Sequence, residues 1–282
     1  MRKLLITFFV VLGYLCIADA QTATAPSGTG TSENPYLISN LNELYWLSQN
    51  SSAWTSGKYI RQTADIDAAA TSTWFETSPG SGTYYGFPCI GGTQTIGNQI
   101  SAIFGANYHC QAYTISNLYI NRPNDRIGFF GYVYGGTIEN LTLKDMTMIC
   151  SSTSSAYGVG MLVGYCYNLT VNNVHIDGGS VTNNNSSSFG STGPIVGWAG
   201  SITATNCSTS ADVFSNKNNN GGFVGIRAGG TGTFVNCYAT GNVVSQSHRN
   251  GGFLSESTNS GSSYFYRCYA TGDVTGSSIT GG

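Results

Sequence analysis

The residues of this chain that could do chemistry are few and far apart. Its three histidines, His109, His175 and His248, are widely separated in sequence, and no spacing pairs any of them with a nucleophile. Asp65 and Asp67 alternate, so in a strand they share one face, as carboxylates would for a hard cation or a glycosidic bond. A lyase would also need a basic residue beside such a cluster, and a hydrolase a second carboxylate across a groove. Asp212, Asn242 and Asp273 recur at one aligned position. Asp and Asn favour turns, so capping is the simpler reading of both sets. Cys207, Cys237 and Cys268 step by 30 and 31 residues, which raises disulfide or metal chemistry. No Cys-x-x-Cys or His-Glu-x-x-His occurs, and stacked Cβ atoms at the strand spacing are wider apart than a disulfide prefers. Buried free thiols acting as small hydrophobes are the expectation. The catalytic, metal and cofactor assignments are therefore none.

Composition narrows the partners. Charged residues make up 9% of the 282, with a formal net charge of −2, which argues against nucleic acid or an anionic membrane surface. Hydrophobic residues reach 40% and aromatics 12%, ample for a core. Thirty-eight Gly, with much Ser, Thr and Asn, favour strands and tight turns over helices. At the N-terminus, Arg2 and Lys3 precede the apolar Leu4 to Leu15, and Ala18-Asp19-Ala20 offers a cleavage site before Gln21. That is the layout of a secretory signal peptide, too short in its core to be a comfortable membrane anchor. The expected localisation is secreted or cell surface, with no membrane insertion after cleavage. Of eight Cys, removal of Cys16 leaves seven, so at least one cannot pair internally.

The elements that must position these residues are repeats. A Gly-apolar-Gly pattern closes at Gly131, Gly164, Gly197 and Gly225 and decays at Ser255, in steps of 33, 33, 28 and 30. A second pattern keeps the same pitch. Leu141, Val174, Cys207, Cys237 and Cys268 are preceded by Asn140, Asn173, Asn206, Asn236 and Arg267. Within a unit apolar and polar residues alternate, as in Thr137-Ile138-Glu139-Asn140-Leu141-Thr142-Leu143, the period of a half-buried strand. About thirty residues holding three short strands make one turn of a solenoid whose coils stack about 4.8 Å apart. The expected fold is all-β, a right-handed parallel β-helix with a short N-terminal helical cap. The Leu/Val/Cys ladder should line the core, and the Asn ladder should sit at a corner or stack its amides outward. Asn40 with Glu43 reads as a capping box opening a helix that carries Leu41, Leu44 and Leu47. The expected organisation is a signal peptide over 1–20, a flexible lead over 21–28, a cap over 29–57 and repeats over 58–282. Gly281-Gly282 falls where another coil should open, so a truncated C-terminus is expected.

These residues resemble the GLUG-motif repeat proteins. Leu162-Val163-Gly164 and Phe223-Val224-Gly225 match the motif, and Asn236-Cys237-Tyr238-Ala239-Thr240-Gly241 and Arg267-Cys268-Tyr269-Ala270-Thr271-Gly272 match its partner segment. The resemblance covers roughly residues 29 to 282. It implies an adhesin-like bacterial surface protein, or a repeat region of the sort found beside immunoglobulin-A-specific metalloprotease domains, whose zinc motif this chain lacks. The functional expectation is a non-catalytic rigid spacer and binding surface, with glycans or a host or neighbouring cell surface as partner. The alternative is a polysaccharide lyase or glycoside hydrolase on the same scaffold. Aromatics are the surface feature with positive content, Tyr84-Tyr85 and Trp74 among them. An ice-binding face would need Thr at one outward position in successive coils, and only Thr203 and Thr205 are read as such a pair. Asn168-Leu169-Thr170 and Asn184-Asn185-Ser186 are glycosylation acceptors where the host has the machinery.

Overall fold

A computed structural model describes residues 21–93, 101–152, 157–185, 190–258 and 261–281. The expected signal peptide, Ser186 of the second glycosylation acceptor and the terminal Gly282 lie outside the described residues. The fold class is the expected one: an all-β parallel solenoid of about five turns, with one short α-helix, near the N-terminus, among the described residues.

Three long parallel sheets, with two shorter parallel ladders beside them, wrap one core. The first runs through Tyr36–Ile38, Tyr59–Gln62, Asn107–His109, Thr137–Lys144, Leu169–Asp177, Ile202–Thr205, Gly232–Val235 and Ser263–Tyr266. The second stacks Tyr119–Arg122, Thr147–Cys150, Ser180–Asn183, Asp212–Ser215, Val243–Ser245 and Val274–Thr275. The third stacks Phe130–Tyr134, Val163–Tyr167, Val196–Ala199, Val224–Ala228 and Leu254–Thr258. Alternation makes one face of each strand inward, and the inward residues form columns. Phe223 and Phe253 stack with ring centroids 4.5 Å apart, and Phe234 and Phe265 at 5.2 Å. Such offset pairs add about 1 kcal/mol each beyond their buried area.

The recurring glycines mark where the chain doubles back on itself. A Cβ added to Gly197 would lie 2.3 Å from the Val159 amide nitrogen, and one on Gly164 would lie 2.6 Å from that of Ile127. Gly131 and Gly225 face the carbonyl oxygens of Gly91 and Gly197 at 2.5 and 2.4 Å. At these four positions backbone packs on backbone, and only a residue without a side chain fits.

At the N-terminus Leu41–Gln49 is helical, with Leu44 and Leu47 fully buried. The capping box is offset by one residue. Asn40 Oδ1 accepts from the Glu43 amide at 3.0 Å, while the Glu43 carboxylate reaches back to the Ser39 amide at 2.7 Å. The first sheet begins at Tyr36–Ile38, inside the segment read as cap, because these three residues pair in parallel with Ile60–Gln62. A strand of three residues is too short for alternation to announce it. The segment before it is held to the cap, with the Thr24 amide donating to Asn42 O and the Leu37 amide to Ser27 O.

Candidate functional site

The third sheet turns its outward residues into an aromatic row. From Gly131 to Tyr134 the strand alternates, with Val133 in the core and Tyr132 and Tyr134 outside, while Phe130 before it is also buried. The register then sets Tyr132 beside Tyr165, Tyr165 beside Trp198, Trp198 beside Ile226 and Ile226 beside Glu256. Tyr165 and Trp198 stack with centroids 4.2 Å apart and planes 3° from parallel. Tyr134 and Tyr167 form a second column beside them. Arg126 lies against the row, its guanidinium 5.1 Å from the Tyr132 ring and 5.0 Å from the Tyr165 ring, and it pairs with Asp125 at 3.2 Å. Burial, then the hydrogen bond with Tyr167, pushes the Tyr165 phenol above its ordinary range.

Where the column steps down from indole to isoleucine, a groove of about 320 Å³ opens. Tyr157, Ser191, Trp198, Asn219, Arg249 and Glu256 are among its walls. Trp198 stacks on Tyr165 with one face, and the coil beyond its other face holds no aromatic ring in that column. Arg249 and Glu256 pair at 3.2 Å. Asn219 Oδ1 is buried and accepts no hydrogen bond. The groove therefore offers an apolar ring face, a carbonyl acceptor and an ion pair with spare donor and acceptor positions. That set suits a ring with CH on its faces and hydroxyls on its rim.

The candidate residues read from sequence fall elsewhere. Leu141 and Val174 are register partners, and both are fully buried, as are Cys207 and Cys237, while Cys268 is only partly buried. All seven described cysteines are free thiols. Cys207 and Cys237 donate to the Thr205 and Val235 carbonyls at 3.1 and 3.3 Å. The hydrogen bond with Cys237, then burial, holds the Cys207 thiol well above its ordinary range. Asn140, Asn173, Asn206 and Asn236 share a left-handed backbone, with φ of 58°, 52°, 55° and 54°. They also share amide bonds between coils, Asn173 to Asn140 at 2.9 Å and Asn236 to Asn206 at 2.8 Å. Corner and ladder are thus one feature.

The acids are occupied as caps. Asp65 accepts from the Thr114 amide at 2.8 Å, and Asp67 from the Ala69 amide and the Asn117 side chain, each at 3.0 Å. Asp212 accepts from the Asn242 amide and Asn242 from the Asp273 amide, coil upon coil.

Three expectations need correction. Trp74 is 5% exposed and packs on Tyr45 and Phe87, so it belongs to the core. His109 and His175 have side-chain partners, Glu139 at 2.8 Å and Ser208 at 2.7 Å, in the adjacent coil and so 30 and 33 residues away. Thr203 stands in an outward column with Thr137, Thr170 and Thr233, where the sequence reading found no repetition. Each precedes its Leu/Val/Cys ladder residue by four, a spacing that was there to be read. The aromatic row of Tyr132, Tyr165 and Trp198 was legible in the same way, each one residue past the closing glycine.

Comparison with known proteins agrees with this architecture. No protein-family model matches the chain. Over 128 residues, 43% of the chain, it is 35% identical to halomucin of Haloquadratum walsbyi, of whose length it spans about 1%. Its fold is similar to that of a solved protein of Bacteroides ovatus described as a "putative immunoglobulin A1 protease". The TM-score is 0.65 at 21% identity, over 90% of this chain and 71% of the other. At that identity the likeness speaks for the fold alone: the chain is a β-helix repeat protein.

Proposed function

We propose that this chain is a secreted or surface-displayed, non-catalytic, adhesin-like module of the GLUG-motif kind. Its solenoid acts as a rigid spacer, and the groove at Trp198 binds a neutral pyranose of a glycan. The observation that carries the reading is Trp198 lining a groove beside the unpartnered carbonyl of Asn219. A pyranose laid in the groove would bury its CH groups against the indole. Its hydroxyls would reach Asn219 and the Arg249–Glu256 pair. The lyase or hydrolase alternative is disfavoured because Asp65, Asp67 and Asp212 already serve backbone amides and side chains as caps.

The test is a glycan array followed by calorimetry on the best ligand. Saturable binding that weakens at least tenfold in Trp198→Ala, about 1.4 kcal/mol, supports the proposal. Equal binding by that variant, or no saccharide bound, overturns it. Fractionation of the native host tests the location, and retention in the cytoplasm would refute that part.

A further inference from the structure

A second concavity lies on the first sheet, on the outward face of its N-terminal coils. Along most of this sheet that face is a plain ladder of short polar side chains, Thr170 beside Thr203 and Asn172 beside Thr205. Near the N-terminus the loop carrying Ser32 and Pro35 rises beside the strands. It encloses about 500 Å³ with Tyr59, Arg61, Asn107 and His109. Tyr59 pairs in register with Asn107, and Arg61 with His109, which in turn pairs with Glu139. Three successive coils thus set a guanidinium, an imidazole and a carboxylate in one outward column, with the Tyr59 phenol in the column beside it.

The charges in this column are unequally occupied. Glu139 Oε1 sits 2.8 Å from His109 Nδ1, an arrangement in which the ring donates and the carboxylate accepts. Arg61 is two coils from Glu139, about 10 Å at the spacing of parallel strands, too far to pair with it. Among the described residues the Arg61 side chain has no hydrogen bond, ion pair or ring contact, although its backbone lies in the sheet between Leu37 and His109. The Tyr59 ring is 39% exposed and likewise has no aromatic neighbour. Tyr59 and Arg61 alternate on one strand, so their side chains leave the same face about 7 Å apart. That separation suits a pyranose ring against the phenol with its acid group on the planar fork of the guanidinium, which matches an oxyanion in two places.

We infer that the pocket of Tyr59, Arg61 and His109 is a second binding site, for an acidic saccharide. Its acid group docks on Arg61 and its ring on Tyr59. Glu139 holds His109 upright so that Nε2 is free to meet a ring hydroxyl. The site is independent of the Trp198 groove and does not rest on the function proposed there. Carboxylate and sulfate share the chemistry Arg61 recognises, and the choice of probes separates them.

Calorimetry with the full chain would use trigalacturonate, its fully methyl-esterified form and a galactose-6-sulfate disaccharide. One of the two acidic probes should bind saturably, which also identifies the acid group. If it is trigalacturonate, the ester should bind at least tenfold more weakly. Arg61→Gln should lower affinity for the acidic probe at least tenfold, whereas Trp198→Ala should leave it unchanged. Glu139→Gln, which keeps a hydrogen-bonding partner for His109 but removes the opposing charge, should tighten binding. Because that effect runs opposite to a folding defect, it holds even if Arg61→Gln unfolds. The proposal fails if neither acid binds, if the ester binds as well as the acid, or if Arg61→Gln binds like the parent.

Discussion

Tyr165 and Trp198, 33 residues apart in sequence, lie face to face with ring centroids 4.2 Å apart. The contact exists because parallel register places one coil's outward residue directly over the next. A double-mutant cycle on Tyr165→Leu and Trp198→Leu should return a coupling of about 1 kcal/mol in urea unfolding. Additive effects would mean the rings do not stack in solution.

Gly197→Ala should be among the most disruptive small substitutions. The added methyl carbon would sit 2.3 Å from the Val159 amide nitrogen, and backbone on both sides cannot yield as a side chain would. A loss of about 3 kcal/mol or more is expected, at the upper end of overpacking costs. Gly135→Ala is the control for glycine loss as such, since a Cβ there meets nothing within 4 Å, although its φ of 76° carries the left-handed penalty. The two urea midpoints, compared side by side, decide the matter.

The Asn corner should prefer glycine over alanine. Asn173 holds φ of 52° and donates to Asn140. Asn173→Gly loses the amide bond but keeps the backbone conformation at no steric cost. Asn173→Ala loses the bond and also strains the backbone, so it should unfold at lower urea by a further 1 kcal/mol or so. The reverse order would contradict the left-handed assignment.

The Cys110 and Cys150 thiols should be inert in the folded protein. Burial pushes Cys110 up to about 12 and Cys150 up to about 11. At pH 8 only about one Cys150 thiol in a thousand is ionised, and the thiolate is the species that reacts. Iodoacetamide followed by peptide mapping should label Cys268 first, the one described thiol that is only partly buried. Labelling of Cys110 or Cys150 before unfolding would count against the packed core.

Asp67 should contribute to acid sensitivity. The Asn117 amide, then the Ala69 backbone N–H, hold its carboxyl below the ordinary 3.8. A folded-state value below the unfolded one stabilises at pH above about 4, and that contribution is lost as pH falls through the lower folded value. Asp67→Asn should therefore show a shallower fall in thermal midpoint between pH 5 and 2. An unchanged slope would remove Asp67 from the account.

Much of the molecule is local in origin and so can be read in one dimension. Alternation in Thr137–Lys144, the turn-forming Asn before each core residue and the spacing of Gly131, Gly164 and Gly197 each express the preference of a few neighbouring residues. Their recurrence at one pitch is what specifies a solenoid. The cap was legible for the same reason, since Asn40 and Glu43 lie within one helical turn. What needed tertiary structure is every relationship between coils. Glu139 beside His109, Trp198 over Tyr165 and His109 beside Arg61 depend on which residue stacks over which. The 28-residue unit between Gly197 and Gly225 and the irregular first coil shift that register in ways spacing alone does not reveal. Exposure is decided there too: Trp74 and Trp198 are the same residue type, yet one packs on a helix residue that helps bury it and the other lines a groove.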